Sequence, residues 1–333
     1  MKIIVPMAGR GTRLRPHTLT IPKPLLPIAG KPIVQRLVEE IAAVCDEKIE
    51  EVAFIIGDFG QEAEAHLMKV AESIGAKGRI FHQEEALGTA HAVLCAKECL
   101  DGEVIVGFAD TLFKADFKLN KSTDGTIWVH KVDNPSSFGV VKLDDNDVIT
   151  DFIEKPEEFV SDLAIIGIYY FKDGKNLCNE LQYLIDNDIK DKGEYQLTNA
   201  LENMKDKCLK FSPGAVDEWL DCGNKDATVY TNQRILELNK TEFALRDVHY
   251  NNGTKIIEPC FIGENVTIEG SQIGPHVSIG DNTVIQNCVI DNSIIQSNSE
   301  INNVNCTNSM IGNHVKLNGK SNELSIGDYS SQV

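Results

Sequence analysis

The sequence has 333 residues, 42% hydrophobic and 25% charged, the balance of a globular chain and not of a disordered or fibrous one. Lys and Arg number 32 against 50 Asp and Glu, and a formal net charge of −18 repels nucleic acid and anionic lipid. No apolar run reaches the roughly 18 residues of a membrane span, and the 9 scattered cysteines, with no C-x-x-C spacing, read as core thiols and exclude a disulfide framework or a zinc site.

A chain of this length predicts two domains, placed at residues 1–240 and 251–320. Met1 to Val5 reads as a first strand. A signal peptide would need a longer apolar stretch and a small-residue cleavage site, so the expectation is a cytoplasmic protein. Helical spacing follows at Ile33 to Val44, a short apolar run at Val52 to Ile56, a helix at Gln61 to Ile74 stopped by Gly75, and a strand at Lys77 to Phe81. A helix over Gly88 to Leu100 and a strand over Glu103 to Phe108 continue the alternation, which predicts an α/β domain with a Rossmann-like, mostly parallel sheet. In such sheets ligands sit beyond the carboxyl ends of the strands. Thr126 to Phe171 turns β-rich and hairpin-like; helices return at Leu177 to Asp186, Leu197 to Met204 and Lys225 to Leu238, with a last strand and loop over Phe211 to Asp221.

Beyond residue 251 the pattern changes again. Ile256, Ile262, Ile268, Ile273, Ile279, Ile285 and Ile290 recur at five- or six-residue intervals, and the series continues to Leu317 with Gly, Asn and Ser in the turns. A six-residue apolar period with such corners predicts a left-handed parallel β-helix of hexapeptide repeats, about three coils of about eighteen residues. Gly and Asn accept the left-handed corner conformation, and the open sheet edges of such a coil predict a homo-oligomer.

The chemistry gathers at the amino terminus. From Met1 to Val38 the chain carries Lys2, Arg10, Arg13, Arg15, Lys23, Lys31 and Arg36 and no Asp or Glu, so a polyanionic ligand is expected there. Gly9 and Gly11 allow the backbone to approach an anion with inward N–H groups, Arg13 reaches the same anion, and Lys23 lies on a stiff segment between prolines. Neither a Walker A loop nor a dinucleotide fingerprint is present. Gln83 follows a strand and offers a donor and an acceptor, suited to O4 and N3–H of a pyrimidine. Asp110 and Asp221 each follow an apolar strand, where carboxylates can reach the ligand crevice, and Mg²⁺ takes one or two carboxylates plus phosphate oxygens. Glu154 can accept from sugar hydroxyls, Lys155 can pair with a phosphate, and Gly139 and Gly167 allow close approach of a ring.

Ala8 to Arg13, together with Pro22-Lys23-Pro24-Leu25-Leu26-Pro27, resembles the sugar-1-phosphate nucleotidylyltransferases, over the chain to about Leu238 and with a C-terminal coil common among the relatives. The resemblance implies that Ala8, Gly9, Gly11, Thr12, Arg13 and Lys23 hold nucleotide phosphates, with Arg13 and Lys23 catalytic. It implies that Gln83, Gly88 and Thr89 meet the base, that Asp110 and Asp221 bind Mg²⁺, and that Gly139, Glu154, Lys155 and Gly167 hold the sugar phosphate. The partners are then a nucleoside triphosphate and a sugar-1-phosphate. The family usually reads Ala-Gly-Gly-x-Gly-Thr-Arg; here Ala8-Gly9-Arg10-Gly11-Thr12-Arg13 is one residue shorter, and the role of Arg10 is open. The apolar pair Ile165-Ile166 before Gly167 looks like glucose-1-phosphate thymidylyltransferases, which favours dTTP or UTP and glucose-1-phosphate. Alternatives are a mannose-1-phosphate guanylyltransferase, a bifunctional enzyme with acyltransferase activity on the coil, and a non-catalytic regulatory subunit. For the acyltransferase the candidate bases are His276 and His314, which read otherwise as solvated corner residues.

Overall fold

A computed structural model describes residues 1–9, 11–115, 119, 121–243, 253–319 and 322–332. Arg10 and the first two residues of the expected coil domain lie outside these. In chain order the elements up to residue 238 are β1 (Lys2–Pro6), β2 (Pro27–Ile28), β3 (Lys31–Pro32), α1 (Ile33–Val44), β4 (Glu51–Ile56), α2 (Gln61–Ser73), β5 (Lys77–His82), α3 (Thr89–Cys95), β6 (Val104–Gly107), β7 (Thr111–Lys114), β8 (Gly125–Lys131), β9 (Gly139–Leu143), β10 (Ile149–Glu154), β11 (Leu163–Phe171), α4 (Gly174–Asp186), α5 (Leu197–Asp206), β12 (Phe211–Ala215), β13 (Glu218–Asp221) and α6 (Lys225–Leu238). No helix among the described residues is long and apolar enough to cross a membrane.

Compactness divides the chain into two units that cut across the sequence boundary at residue 240. The first joins Met1–Gly9 to Gln35–Trp219, and the second joins Arg10–Val34 to Leu220–Val333.

The first unit is built on a nine-stranded sheet whose main path runs β10-β9-β11-β6-β1-β4-β5, with β8 pairing β11 and β12. β6, β1, β4 and β5 are parallel. Ile3, Ile4, Val5, Val52 and Phe54 are all fully buried, as expected of strands covered on both faces, which read as unbroken aliphatic runs. β11 runs antiparallel to β6 and also to β8 and β9, so the hairpin-like region grows the same sheet in the opposite sense. The expected helix from Gly88 to Leu100 is shorter: α3 ends at Cys95, Ala96 leaves helical angles (φ −94°, ψ 29°), and a separate 3-10 turn covers Lys97–Cys99. α4 starts where the Asp173 carboxylate accepts from the N–H groups of Lys175 and Asn176, two donors that a helix start leaves without a partner.

In the second unit the coil forms three parallel sheets of four, five and five short strands among the described residues, more turns than the three expected. Its repeat is also tighter than the eighteen residues expected, since Lys255 pairs with Gln272 but Lys316 with Ser331. Ile268, Ile285, Ile301 and Leu317 stack in one buried column and Ile273, Ile290 and Cys306 in another. The corners take left-handed angles at Asn265, Asn282, Asn298, Asn287 and Asn303, among others. Asn side chains pair up the ladder, Asn265 Nδ2 donating to Asn282 Oδ1 (3.2 Å) and Asn282 Nδ2 to Asn298 Oδ1 (3.3 Å). Buried hydroxyls do the same inside: Ser299 Oγ accepts from the Val315 N–H at 3.1 Å and Ser309 Oγ from the Leu324 N–H at 2.9 Å. Buried backbone donors are thereby paired at corners where the sheet ladder is interrupted.

The segment 11–34 lies in this unit and is fastened to the coil. Pro16 fills the space that a Cβ on Gly327 would need (2.8 Å to Pro16 Cβ), His17 Nε2 lies 3.2 Å from Ser325 Oγ, and Thr20 Oγ1 donates to Asp328 Oδ2 at 2.5 Å. Further on, the Phe261 ring packs on Gly30, and Asn232 Oδ1 of α6 accepts from the Ala29 N–H (3.1 Å) and from Ser278 Oγ (2.6 Å).

His17 is 2% exposed, and burial pushes its pKa down to about 4, with Lys225 adding to the effect and Asp328 opposing it. A histidine held neutral in the fold takes up its proton first in the unfolded chain, so its contribution is intact above the ordinary value of 6.5 and is lost as pH falls from there toward 4. Chemical denaturation should therefore show a steeper loss of stability between pH 6.5 and 4 for the native chain than for His17→Gln, which keeps a hydrogen-bonding group toward Ser325 but cannot titrate; parallel curves would refute the buried neutral imidazole.

Candidate functional site

In the second unit the basic loop folds on itself. Gly11 has φ 57°, and a Cβ there would fall 2.8 Å from Lys23 Cβ and 3.2 Å from Thr18 Cγ2. Both the left-handed angle and the close approach demand glycine. The Gly11 carbonyl accepts from Thr18 Oγ1 at 2.8 Å, and the Leu14 N–H donates to the same carbonyl at 3.0 Å. A 3-10 turn over Thr12–Leu14 anchors the buried Leu14 and leaves Thr12 and Arg13 exposed. Lys23 starts a second 3-10 turn whose second residue is Pro24, and it is buried (7% exposed). Gly11 and Lys23 are thus in contact, with Arg13 two residues along. The result, among the described residues, is a cationic loop with Arg13 and Arg15 exposed and Lys23 buried. Ala8 and Gly9, the other two expected phosphate contacts, belong to the first unit, just beyond the carboxyl end of β1.

The first unit holds the rest of the expected nucleotide and sugar residues. Gln83 follows β5. Its Nε2 donates to the Gly88 carbonyl (3.2 Å) and lies 3.1 Å from His91 Nδ1. The Gly88 carbonyl can only accept, which fixes the amide orientation. Burial lowers the His91 pKa and so favours the neutral ring, whose Nδ1 can accept. Both amide hydrogens of Gln83 are engaged, which leaves its oxygen as the group for a ligand. Gly88 caps α3 at φ 116°, and a Cβ there would lie 2.5 Å from the Tyr195 carbonyl, which accepts the Ala90 N–H at 2.9 Å. Thr89 Oγ1 donates to Gln196 Oε1 (3.0 Å) and accepts from the Leu197 N–H (2.9 Å).

Glu154 ends β10, and Gly139 begins its antiparallel partner β9, directly opposite. A Cβ on Gly139 would come within 3.1 Å of Glu154 Oε2, so the glycine leaves that carboxylate room. Thr198 Oγ1 donates to the same oxygen at 3.2 Å, and Lys155 Nζ lies 3.4 Å from Glu154 Oε1. Gly167 breaks the extended run of β11 at φ 86°, and its carbonyl accepts the Phe108 N–H at 3.0 Å. Asp110 follows two residues later, past the carboxyl end of β6. Burial raises the pKa of Tyr169, and the charges of Glu154 and Asp110 raise it further, which puts both carboxylates within electrostatic reach of one phenol. The first unit thus brings Asp110, Gly139, Glu154, Lys155 and Gly167 to one end of its sheet.

Asp221 ends β13 in the second unit, half-buried, with its carbonyl accepting from Thr231 Oγ1 at 2.8 Å. Gly223 stands where a Cβ would meet Asp221 Oδ2 at 2.8 Å, so the missing side chain leaves the carboxylate open on that side. Among the described residues no group of three or more His, Cys, Asp or Glu gathers as a protein-only metal site. A divalent ion here would complete its shell with phosphate oxygens and water, the habit of Mg²⁺.

Sequence reasoning missed Gln196 and Thr198. Both are buried, and they brace Thr89 and Glu154 from the start of α5. No spacing or motif marks them. Of the two rival bases, His276 is not a solvated corner, since its Nε2 lies 2.9 Å from Glu237 Oε1. His314 stacks on Tyr329 with centroids 4.8 Å apart.

The nucleotidyl transferase family model matches residues 2–237, and the bacterial transferase hexapeptide model of six repeats matches residues 259–290. The chain is 30% identical to a glucose-1-phosphate thymidylyltransferase of Streptomyces antibioticus, over 95% of this chain and 93% of that one. It is 27% identical to the low-salt glycan biosynthesis nucleotidyltransferase Agl11 of Haloferax volcanii, over 91% and 89%. A bifunctional protein GlmU of Methanococcus vannielii is 31% identical, over 71% of this chain but 55% of its own length. A solved UDP-glucose pyrophosphorylase complexed with UDP-glucose shares the fold over 72% of this chain and 99% of its own, with a TM-score of 0.57 at 24% identity.

The Gly88 geometry yields a test. In Gly88→Ala a methyl group would meet the Tyr195 carbonyl at a backbone angle an L-residue rarely adopts, so the turn between Gln83 and α3 must shift. We expect a loss of nucleotide affinity of tenfold or more by equilibrium binding, with circular dichroism unchanged. Native affinity in Gly88→Ala would show that this turn does not shape a nucleotide site.

Proposed function

We propose the reaction from one premise: the chain belongs to the nucleotidyl transferase family. It transfers a nucleoside monophosphate from a triphosphate to a sugar-1-phosphate, giving a nucleoside-diphosphate sugar and pyrophosphate. The observation that carries this reading is the Gly11–Lys23 contact, which holds a glycine turn, an exposed Arg13 and a buried Lys23 together in a chain that is otherwise strongly acidic.

The sugar phosphate is already ionised at neutral pH, so no general base is needed. One of its oxygens attacks the α-phosphorus in line, the O–Pα bond forms as the bond to the β-phosphate oxygen breaks, and pyrophosphate leaves. Such transfers depend on positioning and charge stabilisation. Ala8, Gly9, Gly11 and Thr12 bind the triphosphate, while Arg13 and Lys23 offset the charge that builds on the transferred phosphorus. Asp110 and Asp221, each half-buried, are the carboxylates that would hold Mg²⁺. Mg²⁺, when bound, neutralises phosphate charge. Glu154, aligned by Thr198, accepts from the sugar hydroxyls, Lys155 pairs with the sugar phosphate, and Gly139 and Gly167 leave room for the ring.

The hydrogen bonds of Gln83 support a reading of the base. With both N–H groups engaged, its oxygen accepts from a base that carries an N3–H, and thymine and uracil do. Cytosine presents a bare acceptor at N3 and would leave two acceptors facing. We therefore favour dTTP or UTP, with glucose-1-phosphate as the sugar because the buried Ile165 and Ile166 before Gly167 present no polar group to an N-acetyl substituent. Residues 1–240 would carry the transfer, with the repeats from 251 to 320 packed against residues 11–34 of that part.

Pyrophosphate release from dTTP, UTP, GTP, CTP and ATP with glucose-1-phosphate or mannose-1-phosphate tests the reading. Turnover should be greatest with dTTP or UTP and at least tenfold lower with CTP; no turnover with any pair would leave a non-catalytic chain of the same fold. Asp110→Ala should lower Mg²⁺-dependent turnover at least a hundredfold with the melting temperature nearly unchanged, and retained activity would refute its role at the ion.

A further inference from the structure

The coil is joined to the phosphate loop along the loop's length. The loop's first part meets the last rung: Pro16 against Gly327, His17 beside Ser325, Thr20 on Asp328. Its last part meets early rungs and α6: Gly30 against Phe261, and Ala29 held by Asn232, which also accepts from Ser278 Oγ and donates to the His276 carbonyl. Strands in such a coil stack about 4.8 Å apart, so the two attachments are separated by most of the coil's height. Lys23 lies between them in the chain, and Arg13 just precedes the first.

The contacts are made by groups that the rungs themselves hold in place. Asp328 is fixed by the Asn313 N–H, which donates to its Oδ1 at 2.6 Å, and Thr20 takes the other oxygen. Ser325 lies in the strand that pairs with Met310 in the rung below. Inside the loop, Thr18 bonds the Gly11 carbonyl and packs beside the position a Gly11 side chain would take, next to Lys23. A displacement of residues 16–20 is thereby passed to Gly11 and Lys23 with little slack, because a packed contact deforms less readily than a free loop.

We propose that the last rung of the coil is a positioning element for nucleotide transfer: Ser325 and Asp328, through His17 and Thr20, hold the cationic loop in the geometry that grips the triphosphate. The coil then acts on catalysis without touching substrate, and a ligand or second chain that distorts its carboxyl-terminal rung changes nucleotide affinity. This rests on the reading of the Gly11–Lys23 loop as the triphosphate site.

The experiment compares steady-state kinetics of the full chain with Thr20→Val, Thr20→Ser, Ser325→Ala and Arg13→Ala, using dTTP, or UTP if the base panel selects it, with glucose-1-phosphate. Thr20→Val, which removes only an exposed hydroxyl from the loop, should raise the KM for the triphosphate five- to thirtyfold while leaving the KM for glucose-1-phosphate within twofold. Thr20→Ser should restore the native value, and Ser325→Ala should behave like Thr20→Val. A merely structural lesion would lower the amount of active protein and leave both KM values alone. Unchanged triphosphate KM in Thr20→Val and Ser325→Ala, beside an inactive Arg13→Ala, overturns this inference alone. Full turnover in Arg13→Ala overturns the loop reading and this inference with it. Should Ser325→Ala fail to fold, the Thr20→Val and Thr20→Ser pair decides the matter.

Discussion

Positive charge must be concentrated and held still in a chain whose net charge is strongly negative. A mobile basic loop would lose conformational entropy on every encounter with a polyphosphate. Here the loop is held by the left-handed Gly11, by two 3-10 turns, by the prolines flanking Lys23 and by its attachments to the coil. The two halves of the chain reflect this demand. A mixed sheet carries Ala8 and Asp110 just past the ends of parallel strands and Glu154 at the end of an antiparallel one, and a coil of short rungs supports the segment that follows Gly9.

The folded coil shows how a repetitive sequence fixes a rigid support. One aliphatic side chain per face stacks on its equivalents in the rungs above and below. Corner asparagines take the left-handed angle and also bond to one another, so each carries both the turn and part of the cohesion between rungs. Buried Ser and Thr hydroxyls accept backbone N–H groups of the next rung. Such a stack resists shear, the property needed of a splint.

Much of this was legible in the residues. The alternating period of the first part and the six-residue period of the last predict the sheet and the coil because burial on two faces and stacking in columns each leave a distinct apolar rhythm. Gly11 and Lys23 could be paired from their motif. Other features could not be read. The antiparallel growth of the sheet through β11 depends on pairing between strands distant in sequence. Gln196 and Thr198 act by contacts that no spacing announces, and the engagement of both Gln83 hydrogens depends on His91 turning toward it. The grouping of residues 11–34 with the coil is likewise a matter of which side chains meet in space; His17 and Thr20 carry no pattern that points to residues 308 positions away, nor does Gly30 carry one that points to Phe261.

The central claim is that the loop from Gly9 to Lys23 grips the triphosphate. A crystal structure of the chain with dTTP, Mg²⁺ and no sugar phosphate tests it most directly. The account predicts phosphate oxygens within hydrogen-bonding distance of the Gly11 N–H and of the Arg13 and Lys23 side chains, with the ion touching a carboxylate of Asp110 or Asp221. Phosphates bound elsewhere, with Arg13 and Lys23 turned away from the nucleotide, would contradict it.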